Sequence, residues 1–397
     1  MKYIVLLGDG MSDEKIEELG GQTPLQAAKT PNMDFMAKRG KIGLARTVPA
    51  GLPPGSDVAN LSVFGYDPES CYTGRSPLEA ASMGVELGAD DVAFRVNLVN
   101  LHPHAGRLYM QDYSAGHIST QDGRELIEEL QKHLNDDEFQ FYPGVGYRHL
   151  LVWRNGKDKI TATPPHDITG KNIIDFLPSG DGADRLMNLM NSSQLIFFNH
   201  PQYKRRLAND EVPANSIWLW GQGKSPRIPS YADKFSLSGA VISAVDLIRG
   251  IGVYAGLDII SVPGATGYID TNYRGKAEAA LKALEEKDFV YLHVEAPDEA
   301  SHSGKLQDKI RAIEDFDALV VGPVLEGIRK FGAYRILCTP DHPTPVKLMT
   351  HTSEPVPFII YSGEEKADDN VAGYDEDSAA TGLFVEEGFR LMEMMLK

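Results

Sequence analysis

Short apolar stretches recur along the chain and alternate with longer amphipathic stretches. Each apolar stretch is rich in β-branched or aromatic residues and leads into a loop, so these stretches predict buried strands. The alternation is typical of an α/β protein with a mostly parallel sheet flanked by helices. The strands predicted for this sheet span residues 3–7, 257–262, 289–294, 334–338 and 358–361, and the helices between them span 277–287 and 309–331.

The middle of the chain has a different pattern, in which strands and helices are shorter and less regular. An Asn155–Gly156 pair there is of the kind that closes a hairpin. A chain of 397 residues also exceeds the size at which one hydrophobic core usually stops growing. We therefore expect a main domain of residues 1–102 and 231–397, with a smaller α+β domain inserted at 103–230. The insert is predicted to contain helices at 124–134 and 183–190 and strands at 139–142 and 148–153.

Composition and charge narrow the classes of partner. The formal net charge of −17 argues against nucleic acid and against an anionic membrane, because both require a basic face. A small anionic substrate would need local positive charge from metal ions or arginines. The only cysteines, Cys71 and Cys338, are too few for a disulfide scaffold or a thiolate metal site. Neither a signal-peptide pattern nor a stretch of transmembrane length is evident, so we expect a cytoplasmic protein.

Acidic and histidine side chains follow the predicted strands. Asp9 follows the first strand, Asp298 follows the strand at 289–294, and Asp341 with His342 follows the strand at 334–338. Ligands of open α/β sheets bind at the carboxyl ends of the strands. If these three strands are neighbours in one parallel sheet, the four side chains converge at one edge.

The spacing of these residues suggests two metal ions. Asp298 and His302 are four residues apart, so a helical turn places both on one face, and His351 in a later loop can add a third ligand. Asp341 and His342 are adjacent and project differently, which suggests that they serve a second ion together with Asp9. Carboxylate oxygen and imidazole nitrogen without thiolate suit Mn²⁺ or Zn²⁺ better than Ca²⁺.

Ser56 is the best candidate for a nucleophile beside such metals. Pro53, Pro54 and Gly55 predict a stiff turn, after which Ser56 stands where serine is favoured as a helix N-cap. A free hydroxyl is a weak nucleophile, but coordination to a metal lowers its pKa. The combination predicts phosphoryl transfer through Ser56.

Together these residues resemble the alkaline phosphatase superfamily and, within it, the cofactor-independent phosphoglycerate mutases of archaeal type. The resemblance covers nearly the whole chain. The motifs that carry it are Gly8-Asp9-Gly10-Met11, Gly55-Ser56-Asp57-Val58-Ala59-Asn60, Thr73-Gly74-Arg75-Ser76-Pro77, Ala296-Pro297-Asp298 with His302, Asp341-His342 and His351-Thr352.

The resemblance implies a glycolytic isomerase that interconverts 3-phosphoglycerate and 2-phosphoglycerate, with Ser56 phosphorylated during turnover. It implies two divalent ions, Mn²⁺ foremost, with Zn²⁺, Mg²⁺ or Co²⁺ as alternatives. The residues implied around one ion are Asp9, Ser56, Asp341 and His342, and those around the other are Asp298, His302 and His351.

A mutase must protect phosphoserine from water, so the inserted domain is expected to close over the substrate. Cationic side chains should bind the substrate carboxylate and phosphate, and arginine suits both because of its bidentate geometry. The candidates are Arg75, Arg148, His166, Arg205 and Arg206.

Two other activities stay open at this point. A closely similar subgroup has been proposed to act as homoserine kinase in threonine synthesis, and the stretches Trp218-Leu219-Trp220-Gly221-Gln222-Gly223 and Gly264-Ala265-Thr266-Gly267-Tyr268 look much like it. No Walker A pattern is evident, which is weak evidence against a nucleotide donor. A metal-dependent phosphatase would use the same ligands. The sequence also leaves open whether the chain forms a homo-oligomer.

Overall fold

The computed structural model describes residues 1–363 and 371–397. These residues form two compact units, one made of Met1–Tyr72 with Arg227–Lys397 and the other of Thr73–Pro226. None of the described helices combines the length and apolar character that crossing a bilayer requires.

The strands of the described chain lie in both units. They are β1 (Lys2–Gly8), β2 (Lys41–Ala45), β3 (Val92–His104), β4 (Arg107–Asp112), β5 (Phe139–Val145), β6 (Arg148–Trp153), β7 (Ile160–Thr161), β8 (Ser179–Gly180), β9 (Ser216–Gly223), β10 (Gly239–Ile242), β11 (Asp258–Ile260), β12 (Phe289–Val294), β13 (Tyr334–Thr339), β14 (Val356–Tyr361) and β15 (Leu383–Val385).

The α-helices alternate with these strands. They are α1 (Pro24–Ala27), α2 (Pro31–Ala37), α3 (Ser56–Val63), α4 (Pro68–Cys71), α5 (Ser76–Ser82), α6 (Thr120–Leu134), α7 (Ala183–Asn199), α8 (Pro201–Ala208), α9 (Tyr231–Phe235), α10 (Asp246–Tyr254), α11 (Tyr273–Glu286), α12 (Ala296–His302), α13 (Leu306–Phe316), α14 (Gly322–Gly327), α15 (Glu376–Ala380) and α16 (Arg390–Leu396). Short 3-10 turns span Glu17–Leu19, Pro165–Ile168, Ile173–Phe176 and Ile328–Phe331.

The first unit is built on a mostly parallel sheet, as predicted. Among the described residues the strand order is β11-β10-β12-β1-β13-β14-β2-β15. Strand β1 pairs in parallel with both β12 and β13, so that Tyr3 lies opposite Phe289 on one side and Arg335 on the other. The three strands whose ends carry the predicted ligands are therefore neighbours, which confirms the arrangement that the convergence required. Strand β14 differs, since it runs antiparallel to β13 and to β2.

The long helix predicted at 309–331 is helical throughout but irregular. A π-helical turn, Asp317–Val321, separates α13 from α14, and a 3-10 turn ends the segment. Pro323 lacks the amide that would bond to the preceding turn, which accounts for a change of helical pitch at this point. The buried carboxylate of Asp317 accepts hydrogen bonds from the amides of Asn32 and Met33, so it stabilises the start of α2.

The second unit contains a separate antiparallel sheet in the order β4-β3-β6-β5, with β9 pairing on β3. It begins at Thr73, and the boundary that we expected at residue 103 falls inside β3, which pairs with β6 and β9 within this unit. The prediction that Asn155–Gly156 closes a hairpin was wrong. That turn ends β6, whereas the β5–β6 hairpin turns at Gly146–Tyr147, and the next strand, β7, pairs with β8.

The buried ammonium of Lys309 joins two loops at the carboxyl edge of the main sheet. Its Nζ donates to the carbonyl oxygens of Ser12 at 3.1 Å and Thr344 at 2.9 Å and pairs with Asp13 Oδ2 at 2.8 Å. Burial lowers the pKa of Lys309, although Asp13 works in the opposite direction. Ser12 follows β1 and Thr344 follows β13, so this contact fixes the spacing of two loops that carry predicted ligands.

Replacement of Lys309 should show how much this buried contact contributes to the free energy of unfolding. Lys309→Met leaves the Asp13 carboxylate buried and unpaired, so we expect the free energy of unfolding to fall by about 3–5 kcal/mol. The double variant Lys309→Met/Asp13→Asn should lose less, because it leaves no uncompensated charge. Chemical denaturation measures both. Lys330→Met, which breaks an exposed pair with Glu285 at 2.8 Å, is the control, with an expected loss of about 0–1 kcal/mol. Equal losses in Lys309→Met and the control would contradict this interpretation.

Glu376 adds a pH dependence to the same region. Its carboxylate accepts hydrogen bonds from Asp13 N at 3.2 Å and Thr23 Oγ1 at 2.6 Å. Burial nevertheless raises the pKa of Glu376 to about 7. The folded state therefore binds this proton more tightly than the unfolded chain, and Glu376 destabilises the fold increasingly as the pH rises from the ordinary carboxyl range through 7.

Glu376→Gln should remove this pH dependence. The stability gained by the variant over the parent should be larger near pH 8 than near pH 5, by at most about 3 kcal/mol. Unfolding curves recorded across this range provide the measurement, with the exposed Glu326→Gln as control. A stability difference that stays constant with pH would show that Glu376 ionises normally.

Candidate metal centre

Asp9 lies at the centre of the predicted site. It follows β1 directly and is fully buried, and its Oδ2 lies 2.9 Å from His293 Nε2. Its Oδ1 has no hydrogen-bond partner among the described residues. Burial raises the pKa of Asp9 well above its usual range, and the nearby charges of Asp341 and Glu295 raise it further.

The turn after Asp9 requires glycine. Gly10 has φ +62°, and a Cβ at this position would lie 2.7 Å from Asp298 Oδ1 and 2.6 Å from Thr344 Oγ1. A side chain here would therefore be strained and would also displace a predicted ligand. The Gly10 amide donates to Asp341 Oδ1 at 3.2 Å, which ties the end of β1 to the loop after β13.

Asp341 is oriented by residues that the sequence did not single out as functional. Asn60 Nδ2 donates to Asp341 Oδ2 at 2.7 Å, and Tyr291 Oη in turn donates to Asn60 Oδ1 at 2.6 Å. Asp341 Oδ1 also accepts the amide of His342 at 2.9 Å. Asn60 lies on α3 one turn after Ser56, so helical spacing was the available signal for its position.

Ser56 lies beside His342. Its Oγ is 3.1 Å from His342 Nε2, and that nitrogen is 3.6 Å from Asp9 Oδ1. Burial lowers the pKa of His342 to about 4, so the ring is neutral at neutral pH. The expectation that Ser56 is the N-cap was wrong. Gly55 is the N-cap and Ser56 is the first residue of α3, because the extended conformation lies at Gly55.

Asp298 meets both histidines that were assigned with it. His302 Nε2 lies 3.2 Å from Asp298 Oδ2, His351 Nε2 lies 3.4 Å from Asp298 Oδ1, and the two Nε2 atoms are 2.8 Å apart. Burial alone would raise the pKa of Asp298, but hydrogen bonds from the two histidines hold it well below its usual range. Burial lowers the pKa of His302, but the hydrogen bond and the charge of Asp298 outweigh burial and raise this pKa to about 9.

Within residues 1–363 and 371–397, three groups of side chains have ligand atoms close enough to share an ion. In each group the atoms lie within 4.8 Å of one another. The groups are Asp9, Asp341 and His342; Asp298, His342 and His351; and Asp9, His293 and Glu295. The donor sets and the unpartnered, buried Oδ1 of Asp9 fit a divalent cation, because an uncompensated buried carboxylate is unfavourable. His302 belongs to none of these groups but contacts two members of the second.

His293 and Glu295 were missed by the sequence analysis. His293 is the fifth residue of β12 and is fully buried, whereas Glu295 follows the strand directly. Burial raises the pKa of Glu295 to about 8, and the charges of Asp298 and Glu299 add to this effect. A histidine within an apolar strand was the available signal, but the sequence could not show which side of the sheet it faces.

The predicted substrate-binding residues fall into two sets within the second unit. Arg75 Nε donates to the buried Glu79 at 2.9 Å, and its guanidinium lies 5.8 Å from the Trp220 ring. The His166 ring lies 5.4 Å from the same Trp220 ring. Burial alone would raise the pKa of Glu79, but the charges of Arg95, Arg75 and Arg148 lower it below its usual value, so Arg148 also lies near Glu79. These three candidates therefore lie in one region.

Arg205 and Arg206 lie elsewhere in this unit and make structural contacts. Arg205 pairs with Asp122. Arg206 is buried and donates to the carbonyl oxygens of Val212 and Ala115, both at 3.1 Å. Its guanidinium also lies 3.1 Å from Glu211. Nothing in these contacts favours substrate binding by either residue.

The chain is similar along its length to proteins of one family. The family model described as 2,3-bisphosphoglycerate-independent phosphoglycerate mutase matches residues 37–203. A Geobacter sulfurreducens protein described as a probable 2,3-bisphosphoglycerate-independent phosphoglycerate mutase is 72% identical over 397 residues, covering 100% of each chain. The 2,3-bisphosphoglycerate-independent phosphoglycerate mutase of Methanosarcina barkeri is 53% identical over 387 residues, covering 96% of each.

Solved structures show the same fold. A Pyrococcus horikoshii protein matches with a TM-score of 0.84 at 29% identity, covering 100% of this chain and 96% of its own. The cofactor-independent phosphoglycerate mutase of Thermoplasma acidophilum matches with a TM-score of 0.66 at 28% identity, covering 100% of this chain and 99% of its own.

Proposed function

The chain belongs to the 2,3-bisphosphoglycerate-independent phosphoglycerate mutase family, and we propose that it interconverts 3-phosphoglycerate and 2-phosphoglycerate through a phosphoserine at Ser56. One observation supports the role of Ser56 most directly. Its Oγ lies 3.1 Å from His342 Nε2, and His342 belongs to two of the three groups that could hold an ion. A hydroxyl in this position lies beside the side chains that would hold a metal ion, and such an ion would activate it.

Two divalent ions fit the donor atoms of the first two groups. We propose that Asp9, Asp341 and His342 hold one ion beside Ser56, and that Asp298 and His351 hold the other, with His302 at its edge. Mixed oxygen and nitrogen donors favour Mn²⁺, with Zn²⁺, Mg²⁺ or Co²⁺ as alternatives. Such ions, when bound, lower the pKa of a hydroxyl and offset negative charge on a phosphoryl group.

The reaction then requires two transfers at one serine. Ser56 Oγ loses its proton and attacks the phosphorus of 3-phosphoglycerate, so that the bond from phosphorus to the 3-oxygen breaks; the 3-oxygen keeps the electron pair and takes up a proton, which gives glycerate. After glycerate reorients, its 2-hydroxyl loses a proton and attacks phosphoserine. Ser56 leaves and is protonated again, which gives 2-phosphoglycerate. Charge stabilisation and positioning supply most of the catalysis in this class of reaction.

The second unit is the proposed source of substrate contacts. Arg75 and Arg148 can bind the carboxylate or phosphate, and His166 lies in the same region. Glycerate must stay bound while phosphoserine exists, because it accepts the phosphoryl group in the second transfer. Water must be excluded at the same time, since it would otherwise hydrolyse the intermediate. We therefore infer that this unit covers the substrate during turnover. We also predict a cytoplasmic location and a role in glycolysis.

The two alternative activities can be tested against the mutase in parallel. Purified protein with Mn²⁺ is given 3-phosphoglycerate in an assay coupled to enolase, and separately homoserine with ATP. A third reaction measures phosphate release from 3-phosphoglycerate. We expect 2-phosphoglycerate to form without comparable release of phosphate. Phosphorylation of homoserine without mutase activity would favour the kinase, and release of phosphate alone would favour a phosphatase.

Ser56→Ala should abolish transfer without removing the metals. We expect mutase activity to fall by at least about a thousandfold, because the substitution removes the hydroxyl that accepts the phosphoryl group. Mass spectrometry of the quenched parent enzyme should locate a phosphate on the peptide that contains Ser56. The exposed Ser70→Ala is the control and should keep full activity. Substantial mutase activity in Ser56→Ala would exclude this residue as the phosphoryl acceptor.

Arg148 and Arg205 provide a matched pair for substrate binding. Arg148→Ala should raise KM for 3-phosphoglycerate by about 10- to 100-fold, the usual effect of losing a charged hydrogen bond. Arg205→Ala should change KM by less than about twofold, because Arg205 pairs with Asp122 at the surface. Steady-state kinetics of both variants give the comparison. If Arg205→Ala has the larger effect, the assignment of substrate contacts is reversed.

A further inference from the structure

A cluster of charged side chains in the second unit holds more positive than negative charge. Arg75, Arg95 and Arg148 lie near Glu79, and the charges of all three lower the pKa of its carboxyl group against the effect of burial. The chain as a whole has a formal net charge of −17. An excess of arginines around one carboxylate is therefore a local exception, and it favours an anionic ligand.

Glu79 makes the contacts that hold this cluster together. Its Oε1 accepts hydrogen bonds from Arg75 Nε at 2.9 Å and from Arg95 Nη1. Arg75 directly precedes α5, Glu79 lies one turn later on that helix, and Arg95 lies in β3. One carboxylate oxygen thus joins a helix to the sheet of this unit. Without the carboxylate, the two guanidinium groups would repel each other, because they carry the same charge.

Arg95 is the inner member of the cluster. It is 5% exposed, and its buried Nε has no hydrogen-bond partner among the described residues. Burial lowers the pKa of Arg95 to about 10, Glu79 opposes this effect, and the charges of Arg75 and Arg148 lower the pKa further. Arg95 therefore depends on Glu79 to offset its charge. Arg75 is half-buried and Arg148 is exposed, so these two can reach a ligand.

The Trp220 ring holds the same two guanidinium groups in a second way. Its centroid lies 5.8 Å from Arg75 Cζ and 5.4 Å from Arg95 Cζ, within the range of an attractive contact between a cation and an indole ring. Trp220 Nε1 donates to Asn97 Oδ1 at 3.0 Å, and Asn97 Nδ2 donates to the carbonyl oxygen of Tyr113 at 3.0 Å. The ring is therefore fixed, and the arginines are held by contacts that need no ligand.

We propose that Glu79 is a positioning residue for substrate binding, which holds Arg75 and Arg95 against their mutual repulsion so that Arg75 and Arg148 form a preformed surface for an anion. This role rests on the proposed function, in which the anion is the carboxylate or phosphate of 3-phosphoglycerate. Glu79 acts through the arginines and does not touch the substrate. Side chains that are fixed beforehand lose less freedom on binding, which strengthens the binding of the ligand.

Glu79→Gln distinguishes a positioning role from a purely electrostatic one. The substitution removes a negative charge, so an electrostatic role alone predicts tighter binding of an anion. A positioning role predicts weaker binding, because a neutral amide binds two guanidinium groups less strongly and no longer offsets their repulsion. We expect KM for 3-phosphoglycerate to rise about tenfold. We expect kcat to stay within about threefold, because Ser56 and the proposed metal ligands lie outside this cluster.

Further variants separate positioning from a loss of folding. Partial unfolding would lower kcat by reducing the active fraction and would leave KM unchanged. Glu79→Gln/Arg95→Met also removes the buried charge, so circular dichroism should show a folded protein, but KM should stay raised because Arg75 still lacks the Glu79 carboxylate. Glu129→Gln is the matched control. This half-buried carboxylate contacts Lys132 at 2.8 Å and His133 at 3.1 Å on α6, and the variant should keep the KM of the parent.

The outcomes distinguish this role of Glu79 from the proposed function. An unchanged or lower KM in Glu79→Gln, or a KM restored to the parent value in the double variant, would overturn the positioning role and leave the mutase reaction intact. A parent enzyme that forms no 2-phosphoglycerate would contradict the proposed reaction. Isothermal titration calorimetry of the Mn²⁺-loaded proteins with 3-phosphoglycerate then decides the role of Glu79, with a Kd about tenfold higher expected in Glu79→Gln. An equal or lower Kd, or no binding by the parent, would overturn it.

Discussion

Buried carboxylates repel one another at one edge of the main sheet, and the neighbouring side chains of the site offset this repulsion. Asp9, Asp298 and Asp341 lie at the ends of three adjacent parallel strands, and all three are buried. Negative charges this close cannot all persist in a protein interior without compensation. The histidines supply part of it, and divalent ions can supply the remainder. A site that is unfavourable when empty is thereby favourable for cations and for the phosphoryl group that they would bind.

The surrounding fold holds these groups in place by hydrogen bonds that each join separate segments. Lys309 connects the loops after β1 and β13, and Asn60 links the helix that begins at Ser56 to Asp341. Thr344 Oγ1 donates to Asp298 at 2.6 Å and so joins the loop after β13 to α12. Because each contact crosses between elements, the ligand positions are set by the core of the first unit. Ligands that are positioned before an ion arrives lose little freedom on binding it.

The predicted ligands could be found from the sequence because their positions follow simple rules. Asp9, Asp298 and Asp341 each come within four residues of the end of an apolar strand, and the spacing of Asp298 and His302 places them on one helical face. Parallel pairing of neighbouring strands then brings the three ends together. Both rules concern local sequence and regular geometry, which is why they survive in the folded structure.

Features that depend on distant partners could not be found in this way. In the sequence, Arg206 is a basic residue with no evident partner. Its partners Asp122 and Ala115 are far away in the sequence, and only folding brings them together and buries Arg206. His293 sits in an apolar strand, and only the packed sheet shows that it faces Asp9. The start of the second unit was placed too late because β3 pairs with β6 and β9, which are far along the chain.

Locating bound manganese in a crystal shows directly whether these side chains hold ions. Anomalous diffraction at the manganese absorption edge, from crystals grown with Mn²⁺, shows ion positions without any assay of activity. We expect one peak contacted by Asp9, Asp341 and His342 next to Ser56 Oγ, and another contacted by Asp298 and His351. Peaks found only away from these side chains, with His351 turned from Asp298 and Ser56 remote from any ion, would contradict it.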